Sequence, residues 1–207
     1  MDILNNYIMC KIRFIFIIII VLFTFNCQKR VKKMELSTRN VIDSNKTKFL
    51  TSFYFKESRI KEDKYDVQFY GNETAYNELI LYYSYNKLRI DEILPYTLIM
   101  VERHKKFNYC TNVVENIIQF YTNKSSNQYI DGTDKGIFEY LKLLKLLDVA
   151  TKQYCLNYVT LGASNNDPLS LKYLEVLYRN GLILDKNINK ADILKEKYEQ
   201  LSSLPKI

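Results

Sequence analysis

The chain has 207 residues, 30 Lys and Arg against 23 Asp and Glu, a formal charge of +7, 18 Tyr and no Trp. Setting aside residues 1–26 leaves 181, enough for one domain with a real core. Four of the remaining positive charges, Lys29, Arg30, Lys32 and Lys33, crowd into one short segment, so the rest is balanced to about +2. That argues against a nucleic-acid footprint, which requires a concentrated basic face.

Residues 1–26 read as a leader. Lys11 and Arg13 precede Phe14–Phe25, a run of 12 apolar or near-apolar residues with Thr24 as its one hydroxyl. A helix that crosses a bilayer needs roughly 20 such residues. A charged lead-in and a short apolar stretch instead fit a secretory signal, and Met9 opens a tidier version of it. The run stops at Cys27 in "LFTFNC", which resembles the lipobox of bacterial lipoproteins. That resemblance implies lipidation of Cys27, which would become the mature N-terminus on a membrane. Asn26 and Phe25 depart from the small residues the pattern prefers there. An uncleaved anchor and a signal cut elsewhere are the two other readings of the same residues.

Residues 27–48 are polar and unpatterned and read as a tether, with "QKRVKK" either held against anionic headgroups or simply solvated. Residues 49–71 are ambiguous. "FLTSFYF" suits a strand or a helical turn, and "KESRIKEDKYD" reads as a solvated charge run. Glu62 and Asp63 lie in that run without apolar surroundings to shift a pKa, so no acid–base role is expected of them.

From Asn72 helical periods are regular. "ETAYNELILYYSYN" puts Ala75, Leu79 and Tyr83 on one face, and "DEILPYTLIMVERH" predicts a helix capped by Asp91 with Pro95 in its first turn. Another helix is predicted from about Asn108 to Tyr121. "TNKSSNQYIDGTDKG" follows as a loop. "IFEYLKLLKLLD" and "ATKQYCLNYVTLGA" read as helices. Asp167 and Pro168 then open a helix carrying Leu171, Leu174 and Tyr178, which Gly181 closes. Asn187 caps the last helix, with Ala191, Leu194, Tyr198 and Leu201 as its stripe. No strand pattern of comparable length is present, and the expected class is all-α.

The final helix pair has an internal frame. Ser170 in a small slot is followed by Leu174, Tyr178, Gly181 and the pair Lys190–Ala191. This resembles the Sel-like repeat, a tetratricopeptide-related helix pair, with Glu175 where the family has glycine. Ala75, Leu79 and Tyr83 fit the same frame, with Asn86 in the glycine slot and Pro95–Tyr96 in place of Lys–Ala. Weaker copies put Cys110 and Cys155 in small slots. The resemblance covers residues 72–201, leaving 202–207 as a tail, and implies antiparallel helix pairs stacked as a short α-solenoid with a protein- or peptide-binding groove. The groove-facing positions it implies are Asn77, Tyr85, Lys172 and Arg179. Cys110 and Cys155 have the option of pairing in an oxidising compartment, but small-slot placement favours buried free thiols and no disulfide.

No nucleophile elbow, phosphate loop, dinucleotide fingerprint or metal-binding spacing is present, and the single histidine, His104, reads as a surface or C-capping residue. No enzyme, catalytic residue, metal, small-molecule cofactor or nucleic-acid partner is expected. The expected function is a lipid-anchored, extracytoplasmic scaffold in a bacterial envelope that binds another protein or a peptide. An immunity lipoprotein that neutralises an envelope-targeted toxin is the alternative, and an envelope hydrolase is a third reading.

Overall fold

Asn and Gly at the ends of apolar-striped segments decide where this chain turns, and the first pair of helices shows how. The computed structural model describes residues 51–85 and 91–203. The leader 1–26, Cys27, the tether 27–48 and Asn86 of the repeat frame lie outside the described residues. After a 3₁₀ turn at Phe53–Phe55, helix α1 (Glu57–Tyr70) ends on Gly71, whose φ of 61° is the left-handed conformation a glycine accepts without a Cβ penalty. Its Cα is also covered: a Cβ there would come within 2.5 Å of the His104 ring. Asn72 then accepts from the Ala75 amide at 3.2 Å and opens α2 (Glu73–Tyr85), so two residues fold α2 back on α1.

The described part of segment 49–71 is thus helical over most of its length, and its charge run is solvated on all but one side. Ile60, Asp63 and Val67 are buried at i, i+3 and i+7. The stripe was hidden because a carboxylate occupies its middle position. On α2, Ala75, Leu79 and Tyr83 are buried as the period predicts, joined by Tyr76.

The predicted "DEILPYTLIMVERH" helix is present over 91–103 but unevenly wound, opening with a 3₁₀ turn at 91–93. Helix α3 (Leu94–Leu98) has Ile93 as its N-cap, not Asp91, with Pro95 in the first turn. It continues as a wide π turn over Ile99–Arg103, closed by the His104 amide on the Ile99 carbonyl at 3.2 Å. Helix α4 (Cys110–Thr122) buries Cys110, Val113, Val114, Ile117 and Ile118 on one side. Helix α5 (Asp134–Leu141) starts inside the predicted loop because Thr133 accepts from the Gly136 amide at 3.1 Å. It then tightens into a 3₁₀ turn at Lys142–Leu146. Leu141, Leu144 and Leu147 are all buried, and a three-residue spacing aligns them only if the helix winds at three residues per turn.

Helices α6 (Val149–Ser164), α7 (Pro168–Asn180) and α8 (Ile188–Ser203) are capped by Asp148, Asp167 and Asn187, whose side chains accept from Thr151, Ser170 and Lys190 amides at 3.0, 2.8 and 2.9 Å. Gly181, at φ 62°, closes α7. Every residue from Ser170 to Leu177 is buried, because α4, α5, α6 and α8 all pack on α7. Gly162 lets α6 reach α7: a Cβ there would lie 2.1 Å from Ser170 Oγ and 2.9 Å from Cys110 Cβ. From Phe53 onward the described residues form one compact unit, all-helical, with eight α-helices packed on one another and no strand. Among the described residues no helix is long and apolar enough to cross a membrane.

Candidate functional site

Helix α4 spends its apolar stripe on the core by Ile118, yet two more aromatic residues follow. Phe120 and Tyr121 point away from that stripe and are 60% and 56% exposed. With Ile117, Leu94 of α3, and Ala150, Thr151 and Tyr154 of α6, they line a depression of about 410 Å³. Tyr154 also borders a second depression of about 230 Å³, formed with Glu102, Asn157, Tyr158 and Leu161. The two share Tyr154 and make a shallow groove along α6, mainly apolar throughout, with Glu102 and Asn157 at one end. A concave, mostly apolar surface with a few fixed polar groups is the usual form of a binding site.

The Glu102 end is ordered by a relay of hydroxyls. Tyr154 and Tyr158, one helical turn apart, meet edge to face with ring centroids 5.0 Å apart, and their phenol oxygens are 3.2 Å apart. Tyr158 in turn donates to the Glu102 carboxylate. Burial first, then the bond to Glu102, pushes the Tyr158 phenol well above its usual range, so it stays a donor. The wide turn after α3 is what places Glu102 there. Among the described residues, Glu102 is the one charged side chain lining either depression.

The four positions implied by the repeat frame fall in two neighbourhoods. Asn77 and Tyr85 are exposed on α2, and Tyr85 meets the Phe55 ring edge-on at 5.9 Å. Lys172 and Arg179 are brought together on α7, but inside an ion network. Lys172 is 8% exposed, with its ammonium 2.7 Å from Asp134 and 2.9 Å from the buried Glu175. Burial opposes its charge, and the two carboxylates outweigh that and hold its pKa above the usual value. Arg179 bridges Glu175 and Asp192, the latter at 2.8 Å. The face that would have held Lys172 in a groove is covered by α5 and α8.

A second polar cluster corrects the reading of Asp63 and leaves Glu62 exposed as expected. The Asp63 side chain is fully buried between α1 and α2. Arg59 faces three carboxylates: Glu78 in a two-pronged contact at 2.8 and 3.1 Å, Glu62 at 3.1 Å, and Asp63 at 3.2 Å. Burial, and then the neighbouring Glu78 charge, push Asp63 up to about 7, against the pull of Arg59. Ionised, both Asp63 oxygens lack a hydrogen-bond donor; protonated, the acid donates to Glu78. The cluster is one cation among three carboxylates at the seam of α1 and α2.

Cys110 and Cys155 are buried free thiols, and burial pushes both up to about 12, the wrong direction for a nucleophile. His104 lies on Gly71 with Nε2 3.2 Å from the Gln68 carbonyl. Among the described residues no group of three or more His, Cys, Asp or Glu is placed to hold a metal. The groove residues Phe120, Tyr121 and Tyr154 were missed by repeat-frame reasoning. Their one local signal is two aromatic residues following a completed apolar stripe on α4. The chain matches no family model, no curated protein and no solved structure.

Proposed function

We propose that this protein is a membrane-tethered binding scaffold: Cys27 carries lipid, residues 27–48 form the tether, and the helical body takes up another protein or a peptide in the groove along α6. The observation that carries the binding half is the pair of adjoining depressions with Phe120, Tyr121 and Tyr154 exposed at their rim. Exposed aromatic anchors around a concave surface are the composition of an interface core, since they bury large area at small cost in side-chain entropy. The helix pairs are read as turns of a short Sel-like solenoid. Burial of Ala75, Cys110, Cys155 and Ser170 in its small slots supports that reading. So do Lys190 over the Tyr178 ring at 5.2 Å and Lys172 over the Tyr198 ring at 5.7 Å, which tie α7 to α8.

Two measurements test the two halves. In a bacterial host, Cys27→Ala should abolish labelled-palmitate uptake and release the protein from the membrane fraction; unchanged labelling would end the anchor reading. A photo-crosslinking residue at position 154 should yield one discrete adduct, and the same residue at position 77 should not. Adducts from position 77 alone would move the binding face to α2.

A further inference from the structure

We propose that the groove along α6 takes a peptide segment with two or three apolar side chains and one Lys or Arg, the apolar part seated against Phe120 and Tyr121 and the cation on Glu102. This deepens the scaffold reading above and rests on it. The lining runs from Ala150 to Leu161, about 16 Å of helix at 1.5 Å per residue. Roughly five residues of an extended segment, or three turns of a helix, cover that length.

Charge selects the occupant. Tyr158 uses one acceptor position of the Glu102 carboxylate, which has room for about three more donors. Asn157, the other polar neighbour in that depression, is neutral. A guanidinium or ammonium would satisfy the carboxylate and lie against the Tyr154 ring, a cation–π position. The opposite side of α6 has the reverse character: Lys145 and Lys152 line a third depression of about 270 Å³ with Val149, Leu156 and Ile183. A basic apolar segment is therefore drawn to the Glu102 side and repelled from the other, which fixes which face it uses.

The same charge argues against a lipid surface as the occupant. Anionic headgroups attract Lys and Arg, and the groove offers them an acid instead.

The test is a selection of displayed random peptides of about 12 residues, long enough for three helical turns, on the lipidated full chain in detergent. The wild type should enrich peptides with apolar residues and one Lys or Arg within a turn of them. Glu102→Lys protein should enrich peptides with Asp or Glu in that place. Phe120→Ala with Tyr154→Ala should weaken capture of the wild-type-selected peptides at least about tenfold, the size of loss expected for interface anchors, while the helical circular dichroism signal is retained. Equal charge preference in both selections, or no enriched peptide, would overturn the proposal. Peptides bound equally well by the double variant would also overturn it, leaving a scaffold that binds through another face. Full-length Cys27→Ala protein supplies two further arms. Phe120-dependent binding to phosphatidylglycerol vesicles would assign the groove to lipid, and Phe120-dependent dimerisation in sedimentation would assign it to a second copy; each outcome overturns the peptide.

Discussion

Helices α1 and α7 both bury charged residues, and they do so with opposite results. On α7, the buried pair Lys172 and Glu175 is balanced from outside by Asp134 of α5, Asp192 of α8 and Arg179 one turn along. Two cations meet three carboxylates, and only the exposed ends of the network face water. On α1, a single cation, Arg59, meets three carboxylates, one of them fully buried. In the first cluster every carboxylate has a cation within 2.9 Å; in the second, burial and the Glu78 charge push Asp63 up to about 7. Burial of charge is tolerable when partners arrive from neighbouring helices, and it becomes pH-dependent when they do not.

The comparison breaks most visibly at Lys172. Lys172→Met leaves Glu175 buried with one partner fewer, which should cost about 3–5 kcal/mol, a fall in melting temperature of roughly 10 °C. Lys172→Met with Glu175→Leu should recover most of that loss, because a pair of well-packed apolar residues replaces ions without leaving one stranded. Thermal melts of the two variants check this; an equally unstable double variant would mean that packing, not charge, holds α7.

Asp63 should move stability the other way. Its folded pKa, about 7, lies above its unfolded value near 4. The folded chain therefore binds more protons than the unfolded one between those two values. The Asp63 contribution is fully present below about pH 4 and is lost as pH rises through 7. Asp63→Asn, which donates to Glu78 without a proton, should raise the melting temperature at pH 8 by roughly 5 °C and flatten its change between pH 8 and 5. A parallel pH profile for wild type and variant would remove Asp63 as its origin.

Gly162→Ala probes the packing that brings α6 onto α7. Its new Cβ would lie 2.1 Å from Ser170 Oγ, an overpacking expected to cost about 1–3 kcal/mol, part of it returned by Ser170→Gly. The smallest effect belongs to Glu62, the exposed carboxylate of the α1 cluster. Glu62→Gln should change stability by less than about 0.5 kcal/mol in denaturant titration, since exposed ion pairs contribute little. A larger change would mean that Asp63 reads Glu62 as well as Glu78.

These two helices also mark how far the chain was legible before folding. Asp167, Pro168 and Gly181 announce both ends of α7, and they do so locally, through caps and a left-handed residue. Leu171 and Leu174 show one buried side of it. Nothing local says that Lys172 and Glu175 are inside too, because that depends on α5 and α8 covering the remaining sides. On α1 the failure is reversed: Ile60 and Val67 mark a face, but Asp63 between them makes the segment read as polar. The depressions along α6 were illegible for a related reason. A repeat frame places its face by sequence position, whereas Phe120, Tyr121 and Tyr154 form a rim only after α4 and α6 pack side by side.

Helical class, most turn positions, the face of α2 and one side of α7 follow from the chain alone, because capping side chains, φ-permissive residues and a period of 3.6 act over a few residues. Which charges are buried, which carboxyl is pushed up by burial and where open depressions remain were decided by tertiary packing. Each of those depends on groups that come from helices distant in sequence, and the free energy of a buried polar atom is set by what lies within a few ångströms of it.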